Sequence, residues 1–191
     1  MGCDVSKSVE VNDVNIAEDE AADFSDNQID TIRSTWPILS RDMVGIGEKV
    51  FFRIFLEEPK IKTVFKNFSY IDENNLRQSK IFIDHVTKFM QVVDSVVDSL
   101  EKPKTEIQHT LLMLGAKHAT FDGFDIEHFA VYIKVLMSVW ETAIGEEFIP
   151  EVRESWNIVF TYIVRYLCQG YELFILETEL DKPCNGNSSV T

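Results

Sequence analysis

Two stretches in the middle of the chain determine the fold: Phe82-Ile-Asp-His-Val-Thr-Lys-Phe-Met90 and, further on, Leu114-Gly-Ala-Lys-His118. His85 lies three residues after Phe82 and four before Phe89, and Leu111, Leu114 and His118 follow one another at spacings of three and four. At these spacings each histidine shares one face of a helix with apolar residues. Both imidazoles should therefore point into the core, where an unpaired polar group costs about 1–3 kcal/mol. A metal ion between His85 and His118 would satisfy both.

Outward from these stretches, apolar residues recur at helical spacing over most of the chain, and no long stretch alternates strictly as a strand would. The pattern predicts an all-α domain of seven or eight helices. A capping box at Ser25 and Gln28 begins the first helix, which Pro37 should kink or end. The other predicted helices cover residues 41–56, a short segment from Pro59, 76–100, 104–118, 125–144 and 150–177.

Both ends of the chain differ in composition from this domain. Residues 1–23 carry seven acidic residues and one lysine, and they should form a disordered arm. Residues 179–191 contain proline, glycine and a polar run, and they should form a flexible tail. The predicted domain therefore spans residues 24–178.

The overall composition excludes several classes of function. The net charge of the 191-residue chain is −14, from 32 acidic and 18 basic residues, so nucleic-acid binding is not expected. Three scattered cysteines suit a reducing compartment. Neither a spanning apolar run nor an apolar leader is present, so the sequence predicts an intracellular protein.

The other two histidine side chains are expected to be exposed to solvent. His109 lies off the apolar stripe of its helix, and His128 lies in an acidic turn. A carboxylate-bridged di-iron site remains an alternative, because Glu106-x-x-His109 has the right spacing, although Asp125-x-x-His128 is only a partial second copy. Zinc is less favoured, since no cysteine lies near another ligand.

The middle of the chain resembles the globin family, and within it the six-coordinate neuroglobin group and the membrane-associated globin X group. The resemblance covers about residues 24–177. It rests on an ordered set of residues and not on any one of them: Trp36, Phe51, Phe55, Pro59, Phe65, the stretches around His85 and His118, Trp156 and Tyr166.

The resemblance implies a globin fold that encloses haem b. His118 would be the proximal iron ligand, and His85 would face the opposite side, where it either hydrogen-bonds bound oxygen or ligates the iron itself. We expect the second arrangement, a six-coordinate iron with two histidine ligands. Oxygen and other diatomic gases would then bind reversibly.

The resemblance also assigns roles to four pocket residues. Phe65 would pack flat on the macrocycle beside the helix of His118, and Phe51 and Phe89 would line the distal pocket and exclude water. Lys88 would pair with a propionate at the pocket mouth. Phe89 departs from the family, which commonly has valine there, and it should crowd the pocket.

The first residues carry a separate signal. Met1-Gly2-Cys3-Asp4-Val5-Ser6 matches the N-myristoylation pattern, with Gly2 as the acceptor and Ser6 at the required position. One myristoyl chain binds membranes only reversibly, and the acidic arm has no basic patch, so palmitoylated Cys3 is the natural second anchor. The motif predicts lipid attachment at the cytoplasmic face of the plasma membrane; without acylation the protein would be cytoplasmic.

Three functions follow from these observations. The first is a membrane-tethered, haem-binding globin for oxygen binding or transport, which is not an enzyme beyond slow redox side reactions. The second is a membrane redox or signalling globin, supplied by an unknown reductase, that reduces nitrite or protects lipids from oxidation. The third is a haem-free helical scaffold displayed by its lipid anchor.

Overall fold

A computed structural model describes residues 24–181, and in this part of the chain the regular structure is entirely helical, which confirms the all-α prediction. The acidic arm, the acylation motif and the last ten residues lie outside the described residues. The helices are α1 (Asp26–Ser40), α2 (Met43–Glu57), α3 (Pro59–Val64), α4 (Glu73–Leu76), α5 (Lys80–Ser99), α6 (Thr105–Ala119), α7 (His128–Ile144) and α8 (Pro150–Leu180); a single 3₁₀ turn, Gly145–Glu147, precedes α8.

Local chemistry explains where the helices begin. The Ser25 side chain accepts the Gln28 N–H at 3.4 Å, and the Gln28 side chain accepts the Ser25 N–H at 2.9 Å, which forms the predicted capping box of α1. Pro59 and Pro150 occupy first helical turns, where a missing N–H costs nothing. Pro37 does not end α1, which continues to Ser40 because the buried Leu39 fixes the last turn against the core.

The largest differences between the predicted and observed boundaries are at three places. α5 begins at Lys80 and not at residue 76, because the Asp72 carboxylate accepts two backbone N–H groups and starts the separate helix α4. α7 begins at His128, whose ring accepts the Asp125 N–H at 2.9 Å and holds the preceding turn. α8 extends to Leu180, two residues past the predicted end of the domain.

The core is built around the long helix α8, which packs on α6, α7 and α1. Trp140 on α7 and Trp156 and Phe160 on α8 are completely buried, with ring centroids 5.2–5.7 Å apart. The Trp156 indole N–H donates to the Thr35 hydroxyl at 3.0 Å and ties α1 to α8. A second layer is formed by α2, which lies against both α5 and α7. No described helix is long and apolar enough to cross a bilayer.

Two glycines allow α6 and α8 to approach closely. A Cβ atom at Gly115 would overlap the backbone carbonyl oxygen of Leu167, and one at Gly170 would overlap that of Leu112. Backbone atoms cannot move aside as a side chain can, so both positions need glycine for this helix spacing. The crossing fixes the direction in which α6 continues toward His118, one turn after Gly115.

We expect Gly170→Ala to destabilise the protein by about 1–3 kcal/mol, the usual cost of overpacking, despite the gain of about 1 kcal/mol in helix propensity. Urea denaturation followed by circular dichroism measures the change. Met113→Ala is the matched control, because the Met113 side chain lies on α6 and is 59% exposed. An unchanged urea midpoint for Gly170→Ala would mean that the helices do not pack this closely.

Candidate functional site

A cavity of about 340 Å³ lies among α2, α5, α6, α7 and α8. Of the side chains on its wall, twelve are aliphatic or aromatic and five carry polar groups: His85, Lys88, Lys117, His118 and Tyr132. Both histidines of the two deciding stretches therefore border the same cavity. Within the part of the chain that the structure describes, no acidic side chain contributes to this wall.

His118 lies in the last turn of α6 and is held by a hydrogen bond. Its Nδ1 atom lies 2.8 Å from the Leu114 carbonyl oxygen, one turn earlier in the helix. A carbonyl can only accept, so Nδ1 carries the proton and Nε2 keeps its lone pair. The rings of Phe121, Phe124 and Phe129 surround the imidazole at centroid distances of 5.0–5.8 Å.

His85 lies on α5 in a different aromatic environment. Its ring makes edge contacts with Phe51 and Phe65 at centroid distances of 5.1 and 5.0 Å. Within residues 24–181 no hydrogen bond to the imidazole is formed. Because the two histidines share none of their aromatic neighbours, they occupy separate parts of the cavity wall.

Both imidazoles are neutral near pH 7. Burial, and to a smaller extent the charges of His118 and Lys88, lowers the pKa of His85 to about 4. Burial also lowers the pKa of His118, although the hydrogen bond to Leu114 opposes this shift. Neutral imidazole is the form that donates a lone pair to a metal, so the site suits two nitrogen ligands.

The remaining metal alternative is not supported by the geometry. Glu106 and His109 are both exposed on α6. Within the described residues no three histidine, cysteine or acidic side chains come close enough together to hold a metal ion. A carboxylate-bridged di-iron pair needs several such ligands at one place, so these residues do not form it.

Two predicted pocket residues, Phe51 and Phe89, line the cavity, with ring centroids 5.3 Å apart, and Lys88 borders it. Phe65 does not line the cavity, and it does not lie beside the helix of His118 as expected. The Phe65 ring stacks on Phe68 at 4.8 Å, and this stack holds it against His85 on the α5 side. Contact of Phe65 with a bound macrocycle stays a prediction.

Several wall residues were not singled out from the sequence. Three of them project from one face of α7 at spacings of three and four: Phe129, Tyr132 and Leu136. The sequence contains this pattern, but the same pattern is typical of ordinary core packing. Lys117 also borders the cavity and is adjacent to His118 in the sequence. His128, expected in solvent, is half-buried against Phe124 at a centroid distance of 5.2 Å.

These features fit one class of cofactor, a flat apolar macrocycle that carries a metal and peripheral carboxylates. The apolar wall would suit the ring, each neutral imidazole would offer a nitrogen ligand to the metal, and the exposed Lys88 and Lys117 would pair with the carboxylates. Haem b has all three properties.

Comparison with known proteins agrees with this geometry. The sequence profile of the globin family matches residues 48–167. Neuroglobin-1 of Oncorhynchus mykiss is 30% identical over 149 residues, which cover 78% of this chain and 92% of that protein. Neuroglobin of Danio rerio is 28% identical over 141 residues, covering 73% of this chain and 87% of that protein.

The fold is also similar to a solved structure, the crystal structure of a hexacoordinated heme protein from an anhydrobiotic tardigrade. The TM-score is 0.72 at 18% sequence identity, and the match covers 78% of this chain and 95% of the other. At this identity the likeness concerns the fold alone. Given the profile match and the neuroglobin identities, the chain belongs to the globin family of haem-binding proteins and is related to the neuroglobins.

Proposed function

We propose that this chain binds haem b in the cavity with His118 and His85 as its two axial ligands, and that it binds oxygen and other diatomic gases reversibly in place of His85. One observation carries the proposal: two neutral, partly buried imidazoles on different helices border one apolar cavity. When bound, haem supplies an iron atom with axial positions for histidine or a diatomic ligand.

The two histidines are held differently, and this difference supports their separate roles. His118 is oriented by its bond to Leu114, which also increases the basicity of Nε2, as is usual for metal-bound histidine. His85 is held only by ring contacts with Phe51 and Phe65 among the described residues. An imidazole without a hydrogen bond can leave its position at low cost, so His85 is the ligand that gas molecules would replace.

The rest of the wall supports reversible binding. Phe51 and Phe89 keep water away from the His85 side, where water would promote oxidation of the iron. Lys88 and Lys117 are exposed side chains that also border the cavity, so they would pair with the two propionates in solvent. Such exposed ion pairs orient the cofactor but contribute about 0–1 kcal/mol each.

Absorbance spectroscopy of the purified protein, mixed with one equivalent of haemin and then reduced, tests the proposal. We expect a Soret band, and in the ferrous state without added ligand the split visible bands of low-spin iron. Carbon monoxide should replace one imidazole and shift the Soret band. Failure to take up haemin would overturn the proposed function and would favour the haem-free scaffold.

We also propose that the chain is tethered to a membrane through myristate on Gly2 and palmitate on Cys3. The sequence pattern from Met1 to Ser6 supports myristate on Gly2. The acidic arm offers no electrostatic attraction to anionic lipid, so palmitate on Cys3 would be the second anchor that stable binding needs. A tethered protein cannot carry oxygen by diffusion. The motif therefore favours the second candidate function, redox or signalling work at the bilayer with electrons from a reductase.

Gly2→Ala should move the protein from the membrane fraction to the cytosol in animal cells, because it removes the acceptor for myristate and, with it, the membrane contact that palmitoylation needs. Cys3→Ser should bind weakly, since one acyl chain has an association constant of about 10⁴ M⁻¹. Fractionation followed by immunoblotting measures both. A wild-type protein found wholly in the cytosol would contradict the anchor.

A further inference from the structure

Among the described residues, Tyr132 is the one side chain of the cavity wall with a hydroxyl group. It lies on α7 one turn after Phe129, which contacts the His118 ring at 5.3 Å. The Tyr132 ring instead contacts Phe51 and Phe89, at centroid distances of 6.5 and 6.2 Å. Phe51 in turn contacts His85. The α7 helix thus passes from the His118 side of the cavity to the His85 side, and Tyr132 is on the latter.

The Tyr132 hydroxyl has no hydrogen-bond partner within residues 24–181. Burial raises the pKa of this phenol, so it keeps its proton throughout the physiological range. On the neighbouring helix α8 the Tyr166 hydroxyl accepts a hydrogen bond from Gln108 at 2.8 Å, and the Tyr171 hydroxyl donates to the Phe124 carbonyl at 3.3 Å. The Tyr162 hydroxyl also lacks a partner among the described residues, but Tyr162 does not line the cavity. Tyr132 is half-buried at the cavity wall, so its unpaired hydroxyl is placed to bond a ligand that enters the cavity.

We propose that Tyr132 is a specificity-determining residue of the gas site, and that its hydroxyl donates a hydrogen bond to the diatomic ligand that replaces His85. The inference rests on the proposed function, because it needs a ligand on the His85 side of the cavity. Of the wall residues between 24 and 181, no other uncharged polar side chain apart from the two histidines is available to donate there. Lys88 and Lys117 also border the cavity, but both are exposed and their charges are solvated.

The hydrogen bond would select among ligands by their charge distribution. Oxygen at the iron would carry partial negative charge on its outer atom and would accept a hydrogen bond well. Carbon monoxide in the same place would be nearly apolar and would accept poorly. Tyr132 should therefore slow the dissociation of oxygen and leave that of carbon monoxide unchanged.

Tyr132→Phe tests the inference, because it removes one oxygen atom and keeps the ring. His85 could itself donate to the ligand once displaced, so the substitution is made in the wild type and in His85→Leu. Tyr166→Phe is the matched control, since its hydroxyl lies outside the cavity wall. The measurements are the haem spectrum, the dissociation rates of oxygen and carbon monoxide, and the infrared stretching band of bound carbon monoxide.

We expect Tyr132→Phe to raise the oxygen dissociation rate about three- to tenfold in both backgrounds, which corresponds to the loss of one neutral hydrogen bond. The carbon monoxide rate should not change, and its infrared band should move to higher wavenumber as the nearby donor is lost. Oxygen rates equal to those of each parent, with normal haem spectra, would overturn the inference and leave the proposed function standing. A wild-type protein that takes up haem but binds no gas would instead overturn the proposed function, and this inference with it.

Discussion

His118→Ala should lose haem, with affinity reduced by on the order of 100-fold or more, because even the loss of a residue that only supports a metal ligand costs about 10–100-fold in metal affinity. His85 would remain, but no hydrogen bond in the described residues orients its ring. Titration of the metal-free protein with haemin, followed by the Soret band and by transfer of haem to an acceptor protein, measures the change.

His109→Ala is the matched control, because His109 lies on the same helix as His118 and is exposed. It should bind haem as the wild type does. A second variant, His118→Gly, separates the loss of a ligand from the loss of structure: added imidazole should enter the space left by the side chain and restore the Soret band. Haem loss in His109→Ala together with normal binding in His118→Ala would show that the α6 face is assigned incorrectly.

The helices and the paired histidines could be predicted from the sequence because they depend on local patterns. Spacings of three and four placed His85 and His118 on buried faces, and both border the cavity in the structure. The capping box at Ser25 and the proline at residue 59 fixed helix starts within a few residues. Each of these signals lies within one turn of the residue that it positions.

Features that depend on packing between distant segments could not be predicted in this way. The close crossing at Gly115 and Gly170 requires knowledge of which helices pack together, and neither glycine is marked by its neighbours in the sequence. Phe65 was expected near α6, but its stack on Phe68 turns it toward His85. The contact between Phe65 and Phe68 could not be predicted, because a turn and not a helix joins these residues. Helical spacing therefore does not relate their side chains.

Tyr132 shows a different limit of sequence reading. Its helix has a mostly apolar face, and a tyrosine on such a face is usually a core residue with its hydroxyl at the edge. Only the structure shows that its neighbours are Phe51 and Phe89 and that its hydroxyl has no partner within the described residues. A residue of this kind is recognised by an unsatisfied polar group at a cavity, and a one-dimensional pattern does not contain that information.

His85→Leu should convert the ferrous, ligand-free protein from low-spin to high-spin and raise its apparent affinity for carbon monoxide. In the wild type a gas molecule binds only to the fraction in which His85 has left its position, and the apparent affinity falls by that fraction. If His85 is displaced in about 1% of molecules, the substitution raises the apparent affinity about 100-fold. Leucine suits the space between the Phe51 and Phe65 rings, so the fold should be retained.

Visible spectra and carbon monoxide binding after flash photolysis measure both effects, and His109→Leu serves as the control with the same change of side chain at an exposed site. The two readouts must change together, since one imidazole would account for both the spin state and the slow binding. A wild-type protein that is already high-spin would contradict the two-histidine arrangement. In that event His85 would be a hydrogen-bonding neighbour of the gas, and simple oxygen storage would be favoured over work that depends on a displaceable ligand.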